Sequence, residues 1–375
     1  MKPVKVAHVV NSVGGVDVYL RIVLNALDPN RVNCIVVHGF DDTQTPFCNK
    51  FGEKVNEFRV PIQRSISPFK DLKSIIRTIS ILKKEKPDVI HAHSAKGGII
   101  ARAASIWYPV QVLYTPHAFS YLSATSSLKK KLYLLIERVF KHFHSVLLAC
   151  SNSERQRGIN EVGYKEERAV TFNNCIQPIS SADMQSYKIS LPKWYICTVG
   201  RPSYQKNIEM LVEVVKRLKE QIPEIHLVVM GVGEYSPNKE NVERLIQNYQ
   251  LENHITLIPW IQREQIFSII DNSKMYVSAA RYEGLPYSVI EAMALAKACV
   301  VTNCDGNRDL IQEGINGYVV PENSVETMAN RIFELLTDDV LRTKMQKNAY
   351  SRFQKHFNIE NSIKNLEEIY KEFSK

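Results

Sequence analysis

The sequence predicts an α/β protein that is divided into two domains. With 375 residues, the chain exceeds the size of about 100–200 residues that is common for one domain. Both halves repeat one pattern, in which a short apolar run is followed by a turn and then by a helix with one apolar face. A polar stretch with a proline near each end, residues 177–192, separates the halves. We therefore expect two domains, each built on a parallel sheet.

In the first half, the apolar runs are short and rich in Val and Ile, as buried parallel strands are. Strands are expected at residues 4–10, 33–38, 88–93, 112–115 and 146–151, with a short extended piece at 59–61, and residues 169–176 are expected to close the first domain. Apolar residues recur at helical spacing between these strands. They predict helices over residues 18–27, 72–86, 99–107 and 127–143, the second of which Pro87 ends.

The second half repeats the rhythm without a close sequence repeat. Strands are expected at residues 194–199, 226–230, 255–261, 275–278 and 299–302. One helix is expected to begin near Asn207 and another to cover residues 288–297. The chain after Gly317 is expected to be helical, with a long terminal helix over residues 350–374.

The positive charge is concentrated in the first half. The chain has a formal net charge of +9, and residues 1–185 hold 25 Lys and Arg against 15 Asp and Glu. A basic surface of this kind suits an anionic lipid or a phosphorylated substrate, and the alternative is a solvated surface without a partner. Nucleic acid is disfavoured, because there is no recognition motif and the aromatic residues are not interleaved with the basic ones.

Two further patterns concern the compartment. The seven cysteines lie mostly in apolar runs and form no C-x-x-C pair, which indicates core residues in a reducing environment. The first ten residues lack the apolar segment of a secretory signal, and no run of 18 apolar residues occurs. We expect a cytoplasmic protein, peripheral at the inner face of the membrane.

The most informative stretch runs through residues 278–309 and holds two glutamates eight positions apart. Glu283 lies in a turn after a short strand, and Glu291 lies in the helix that follows. The N-terminus of a helix is a suitable site for a phosphate, and a carboxylate can accept hydrogen bonds from a ribose diol. The arrangement fits a nucleoside diphosphate, although two such glutamates also occur by chance on a surface helix.

The residues around the pair resemble the E-x7-E donor motif of the family 4 retaining glycosyltransferases. The match covers Y-E-G-L-P at 282–286, E-A-M-A at 291–294, D-G-N-R-D at 305–309 and G-I-N-G at 314–317. The resemblance implies the GT-B fold, in which two Rossmann-like parallel-sheet domains face each other across a cleft. It implies an acceptor-side domain over residues 1–180, with a C-terminal helix of about residues 355–375 packing back on it, and a nucleotide-sugar domain over residues 190–350.

The resemblance also implies roles for individual residues. Glu283 and His117 are implied to be catalytic, and Lys96 and His93 to bind the acceptor. The positions implied to bind the donor are Arg201, Lys206, Glu291, Gly284, Leu285, Pro286, Gly15, Gly231 and Ile261. Arg201 and Lys206 also fit this role by chemistry, because a guanidinium and an ammonium are the usual partners of a diphosphate. Trp260 could stack on a base, but we expect it in the core.

A metal is not expected. His91 and His93 end one strand on the same face and could form a metal pair, but no third ligand is near them in the sequence. No D-x-D motif occurs, which agrees with the metal-independent GT-B enzymes. We expect no cofactor besides the nucleotide-sugar substrate.

The leading hypothesis is a retaining hexosyltransferase of bacterial surface polysaccharide biosynthesis. It would move a hexose or an N-acetylhexosamine from a nucleotide-sugar, with UDP favoured, to a polyprenyl-diphosphate-linked or other glycan acceptor. One alternative is a GT-B nucleotide-sugar 2-epimerase, which needs no acceptor. Another is an inactive protein that binds the membrane surface. The sequence does not identify the sugar, the acceptor or the linkage.

Overall fold

The computed structural model describes residues 2–12, 14–63, 67–124, 126–187, 189–233 and 236–374. The chain forms two compact units. Unit 1 comprises Met1–Gln177 and Ile359–Lys375, and unit 2 comprises Pro178–Asn358. The closing segment of the chain thus belongs to the first unit.

Unit 1 is built on a parallel sheet. Within its described residues, seven strands are arranged in the order β3-β2-β1-β4-β5-β6-β7. These strands are β1 Val4–Val9, β2 Val32–Gly39, β3 Asn56–Val60, β4 Val89–His93, β5 Val112–Thr115, β6 Ser145–Ala149 and β7 Ala169–Thr171. The helices between them are α1 Gly15–Ala26, α2 Pro68–Glu85, α3 Ser94–Ala104, α4 Ser127–Phe140 and α5 Asn152–Arg157.

Helix α3 begins at Ser94, five residues earlier than the sequence predicts. The difference arises from Gly97 and Gly98, which are normally poor helix residues. A Cβ atom on Gly97 would lie 2.5 Å from the Val9 carbonyl oxygen, and one on Gly98 would lie 2.3 Å from the Tyr114 ring. Close packing of the helix against the sheet therefore explains both glycines.

A buried ion pair joins α3 to α4. Arg102 Nη2 lies 3.1 Å from Glu137 Oε2, and both side chains are almost fully buried. The Tyr114 hydroxyl donates to Glu137 Oε1 at 2.9 Å, and the Arg102 guanidinium lies 3.9 Å from the centre of the Tyr114 ring. Removing one partner would leave a buried charge unpaired, which is costly. The contacts with Tyr114 connect the two helices to β5 as well.

Unit 2 is built on a second parallel sheet. Its described residues form six strands in the order β10-β9-β8-β11-β12-β13. These strands are β8 Ile196–Val199, β9 Leu227–Val232, β10 Ile255–Pro259, β11 Tyr276–Ser278, β12 Cys299–Thr302 and β13 Gly317–Val320. The helices are α6 Ile208–Lys219, α7 Lys239–Asn248, α8 Arg263–Asn272, α9 Tyr287–Ala294, α10 Asn307–Leu310, α11 Val325–Thr337 and α12 Asp339–His356.

The expectation that the chain is helical after Gly317 is wrong for its first residues. Gly317 begins β13, which pairs in parallel with β12. A Cβ atom on Gly317 would lie 2.1 Å from the Cys299 carbonyl oxygen, so the close approach of the two strands requires glycine. The strand was missed because a four-residue apolar run before a helix carries little periodicity.

The expected terminal helix is two helices. Helix α12 ends at His356, and α13 Ile359–Phe373 follows in unit 1. Helix α13 is fastened there by Arg31, whose Nη1 lies 2.5 Å from Glu367 Oε2, and by the Tyr370 hydroxyl, 2.7 Å from His91 Nδ1. No helix among the described residues is both long enough and apolar enough to cross a membrane.

Candidate functional site

The two predicted donor loops of unit 2 lie side by side. One follows β8 and the other follows β11, and these strands are neighbours in the sheet. The main chain joins the loops, because Arg281 N donates to Gln205 O at 2.8 Å. Since the carboxyl ends of parallel strands lie at one edge, this is where α/β proteins bind ligands.

An ion pair connects Lys206 of the first loop with Glu283 of the second. Lys206 Nζ lies 2.6 Å from Glu283 Oε1, and Gln205 Nε2 donates to Glu283 Oε2 at 3.3 Å. Glu283 is only 8 % exposed. The aliphatic part of Lys206 runs beside Gly200, where a Cβ atom would lie 2.9 Å from Lys206 Cγ. The structure thus brings together the predicted diphosphate cation and the predicted catalytic carboxylate.

The turn that carries Glu283 is supported from the side by the loop after β12. Gly306 has φ +77°, and a Cβ atom there would lie 2.5 Å from the Gly284 carbonyl oxygen. Asn307 is fully buried and donates to Thr302 O at 3.1 Å. The D-G-N segment of the motif therefore fixes the backbone of Gly284 and Leu285 next to Glu283.

Glu291 lies in α9, whose N-terminus follows Pro286. The first turn of α9 holds no acidic residue, so its N–H groups face no carboxylate of their own turn. Glu291 Oε1 lies 2.7 Å from both Nε and Nη2 of Arg263, the first residue of α8. The sequence analysis did not select Arg263. The sequence feature that could have identified Arg263 is a cation at the N-terminus of a predicted helix, where the helix dipole disfavours positive charge.

The other predicted donor positions in unit 2, Arg201, Gly231 and Ile261, lie at or after the ends of β8, β9 and β10. Arg201 is exposed in the loop after β8. Gly231 has φ +95°, and its Cβ position lies 3.8 Å from Arg201 N, so the β9 turn approaches the β8 loop. Ile261 is 9 % exposed after β10. The residues directly after this turn, 234 and 235, lie outside the described residues.

The expectation for Trp260 is wrong. Its side chain is 79 % exposed, so it is not a core residue. It follows Pro259, the last residue of β10, at the carboxyl edge of the sheet. A bend into the solvent there overrides the usual burial of tryptophan.

In unit 1, the predicted histidines are part of a buried cluster. His8 on β1 is paired in register with His91 on β4, and His93 follows on the same face. His8 Nδ1 lies 3.0 Å from His93 Nε2, and His93 Nδ1 lies 3.4 Å from His117 Nε2. Both nitrogens of His93 are thus engaged by other imidazoles, and a contact with an acceptor would break one of these bonds.

His8 is the third imidazole that the sequence analysis did not find near His91 and His93. The three offer nitrogen atoms within 4.8 Å of one another, a spacing that allows a metal ion. However, Thr115 Oγ1 donates to Leu148 O and so accepts from His91 Nε2, while the Tyr370 hydroxyl lies 2.7 Å from His91 Nδ1. To bind a metal ion, His91 would have to give up one of these two hydrogen bonds. The cluster of His8, His91 and His93 also contains no carboxylate that would balance the charge of the ion.

Burial keeps the cluster neutral. It lowers the pKa of His8 and of His117 to about 3. Burial also lowers the pKa of His91 and His93 well below the usual value, with neighbouring imidazoles adding to the effect. The pKa of a histidine in the unfolded chain is about 6.5, so below that pH the unfolded chain binds more protons than the folded protein. The free energy of unfolding therefore has its full value above about pH 6.5 and decreases as the pH falls toward the folded pKa.

His117 and Ala118 both lie in the left-handed region, with φ of 54° and 77°. Glu154 Oε1 accepts from Ala118 N at 2.7 Å and holds this turn after β5. Alanine occupies this conformation at some cost in strain. His117 therefore has a fixed backbone and a neutral ring.

The remaining predicted positions of unit 1 have clear local contacts. Lys96 Nζ lies 2.8 Å from both carboxylate oxygens of Asp71, so its charge is already paired. Gly15 is exposed at the N-terminus of α1, after Gly14 with φ +60°. Asp17 accepts from Ser12 Oγ and from Arg21 Nε, both at 2.8 Å, which gives it a structural role.

Two family models match the chain, one for each unit. The model described as "Glycosyltransferase Family 4" matches residues 13–178. The model described as "Glycosyl transferases group 1" matches residues 180–352.

Curated relatives and solved structures agree with these matches. An Escherichia coli UDP-Gal:alpha-D-GlcNAc-diphosphoundecaprenol alpha-1,3-galactosyltransferase is 28 % identical over 87 % of this chain and 86 % of its own. The Staphylococcus aureus capsular polysaccharide biosynthesis glycosyltransferase CapM is 24 % identical over 84 % and 85 %. The Anabaena HepE structure in complex with UDP and glucose has a TM-score of 0.80 at 15 % identity, over 98 % and 100 % of the chains. The chain has the GT-B fold and belongs to the family 4 glycosyltransferases.

Proposed function

We propose that this glycosyltransferase moves a hexose or an N-acetylhexosamine from a UDP-sugar to a lipid-diphosphate-linked glycan during surface polysaccharide assembly. The observation that carries the proposal is the Lys206–Glu283 ion pair at the carboxyl edge of the unit 2 sheet, whose turn leads directly into α9, the helix of Glu291. The names of the relatives support the substrate classes, since one uses UDP-Gal and a diphosphoundecaprenol-linked sugar. The HepE complex supports UDP as the nucleotide.

The donor diphosphate is neutralised by protein groups in this proposal. Lys206 and Arg201 supply positive charge, and the N–H groups at the start of α9 supply hydrogen bonds. Glu283 positions the sugar and balances the positive charge that develops at its anomeric carbon. The bond from this carbon to the diphosphate breaks, and the acceptor oxygen bonds to the carbon on the same face. The acceptor proton passes to a phosphate oxygen, so no side-chain nucleophile is needed.

The basic surface of unit 1 supports a membrane-bound acceptor. Helix α4 exposes an apolar stripe at spacings of three and four residues, formed by Leu128, Leu132, Leu135 and Val139. Lys129, Lys130 and Lys131 are exposed beside it. Helix α2 exposes Phe69, Leu72 and Ile76, together with exposed lysines at 70 and 73. Helix α3 lies between them, so both stripes belong to one side of the sheet. Apolar side chains flanked by lysines fit an anionic lipid surface.

The first prediction tests the reaction. The purified protein is incubated with UDP-sugars and a polyprenyl-diphosphate-linked sugar, with and without EDTA, and products are analysed by mass spectrometry and NMR. We expect a glycosylated lipid with retained anomeric configuration and equal rates in both conditions. Release of an epimerised sugar from the donor alone would identify the epimerase instead, and an inverted product would contradict the mechanism.

The second prediction concerns Glu283→Gln. Turnover should fall about a hundredfold or more, because a carboxylate that stabilises charge in the transition state is lost. The affinity for UDP should change little, because Lys206 stays in place and loses its competing partner. Steady-state kinetics and calorimetry measure the two quantities. Glu326→Gln, which alters an exposed ion pair with Arg217, is the control. Normal turnover in Glu283→Gln would remove Glu283 from the mechanism.

The third prediction concerns Glu291→Ala. UDP binding should weaken by about 1–3 kcal/mol, the size of a hydrogen bond to a charged group. The affinities for UDP and 2′-deoxy-UDP are measured by calorimetry in both proteins. The preference for UDP should largely disappear in the variant. If the variant distinguishes the two nucleotides as well as the original protein does, Glu291 does not contact the ribose.

The fourth prediction concerns the exposed lysines of α4. Replacing Lys129, Lys130 and Lys131 with Gln should weaken binding to phosphatidylglycerol vesicles by about 1 kcal/mol per lysine. Co-sedimentation at low and high salt measures it, and high salt should reduce the difference. The matched control replaces three exposed lysines of α12, namely Lys344, Lys347 and Lys355. Equal losses in both triple variants would show that net charge, and not this surface, governs binding.

A further inference from the structure

The position of Arg263 is unfavourable for the helix that carries it. It is the first residue of α8, where the free N–H groups and the helix dipole repel a cation. The capping box of α8 uses Gln262 and Gln265, so the helix does not depend on Arg263 for its start. A residue whose charge opposes the dipole of its own helix indicates a role elsewhere.

The side chain of Arg263 is nevertheless tightly placed. Its Nε and Nη2 both lie 2.7 Å from Glu291 Oε1, and the guanidinium lies 5.2 Å from the centre of the Phe267 ring. About a third of the Arg263 side chain is exposed, whereas Glu291 is 5 % exposed. Among the residues that the structure describes, Arg263 is therefore the partner that balances the charge of the buried carboxylate.

The two donors converge on one oxygen of Glu291. Within the described part of the chain, Oε1 accepts a hydrogen bond from Arg263 Nε and forms an ion pair with Nη2, and no hydrogen bond to Oε2 is formed. A guanidinium that approaches in this way restricts the carboxylate to one rotamer, because both N–H directions are fixed in one plane. The second oxygen stays available to a ligand hydroxyl.

We propose that Arg263 is a positioning residue of the nucleotide site, which holds Glu291 by Oε1 and reserves Oε2 for the ribose diol of the donor. Arg263 thereby sets the preference of the enzyme for ribonucleotides over 2′-deoxyribonucleotides. The inference rests on the proposed function, because the ribose contact of Glu291 belongs to that proposal. Arg263 itself touches neither the sugar nor the phosphates in this account.

The experiment compares UDP and 2′-deoxy-UDP binding by calorimetry in five proteins: the original, Arg263→Gln, Arg263→Lys, Glu291→Gln and the double variant Arg263→Gln/Glu291→Gln. Arg263→Gln should bind UDP about tenfold more weakly, the factor expected for one charged hydrogen bond, and 2′-deoxy-UDP almost as before. Arg263→Lys should bind UDP more tightly than Arg263→Gln but less tightly than the original protein, because lysine keeps the positive charge and lacks the planar guanidinium with its fixed N–H directions. The double variant should be no weaker than Glu291→Gln alone.

A matched control and the contrary outcomes complete the test. Arg244→Gln alters an exposed arginine of α7, which donates to Asn241, and should leave both affinities unchanged. If Arg263→Gln weakens both nucleotides equally with an unchanged melting temperature, Arg263 contacts the diphosphate or the base directly, and the inference is overturned. If Glu291→Gln changes the preference and Arg263→Gln does not, only this inference fails. If neither changes it, the ribose role in the proposed function fails as well.

Discussion

The donor part of the site depends on the ion pair between Lys206 and Glu283. It joins two loops that leave neighbouring parallel strands at the same edge of the sheet. Without a ligand, each group is the partner of the other, so neither largely buried charge is left uncompensated. A donor with a diphosphate and a sugar would offer both groups new partners, and binding then exchanges one set of charge contacts for another.

Three small residues make this arrangement possible. Gly200 allows the stem of Lys206 to pass, Gly306 lets its loop approach the Gly284 carbonyl, and Gly231 brings a third turn toward the Arg201 backbone. A Cβ atom on Gly200 would crowd the Lys206 side chain, and the φ angles of Gly231 and Gly306 favour glycine. The positions of the charged groups are therefore set by backbone contacts between loops, and only then refined by hydrogen bonds.

The two units bring different chemistry to the proposed reaction. Unit 2 concentrates paired charges, whereas the cluster around His93 in unit 1 is made of neutral imidazoles. Unit 1 also presents exposed lysines along α2 and α4. This division fits a protein whose donor is an anion and whose acceptor is anchored in an anionic surface. The vesicle experiment tests whether unit 1 binds such a surface.

The sequence by itself determined the alternation of strands and helices, because buried parallel strands and glycine turns have strong local signals. Its resemblance to a known family indicated the motif around Glu283 and Glu291. Only the tertiary structure placed His8 beside His93, paired Arg263 with Glu291, exposed Trp260, made residues 317–320 a strand and began α3 at Ser94. These features depend on contacts between residues far apart in the chain, or on a close approach that only glycine allows. Local periodicity carries no information about such contacts, since they are fixed by the packing of one element on another.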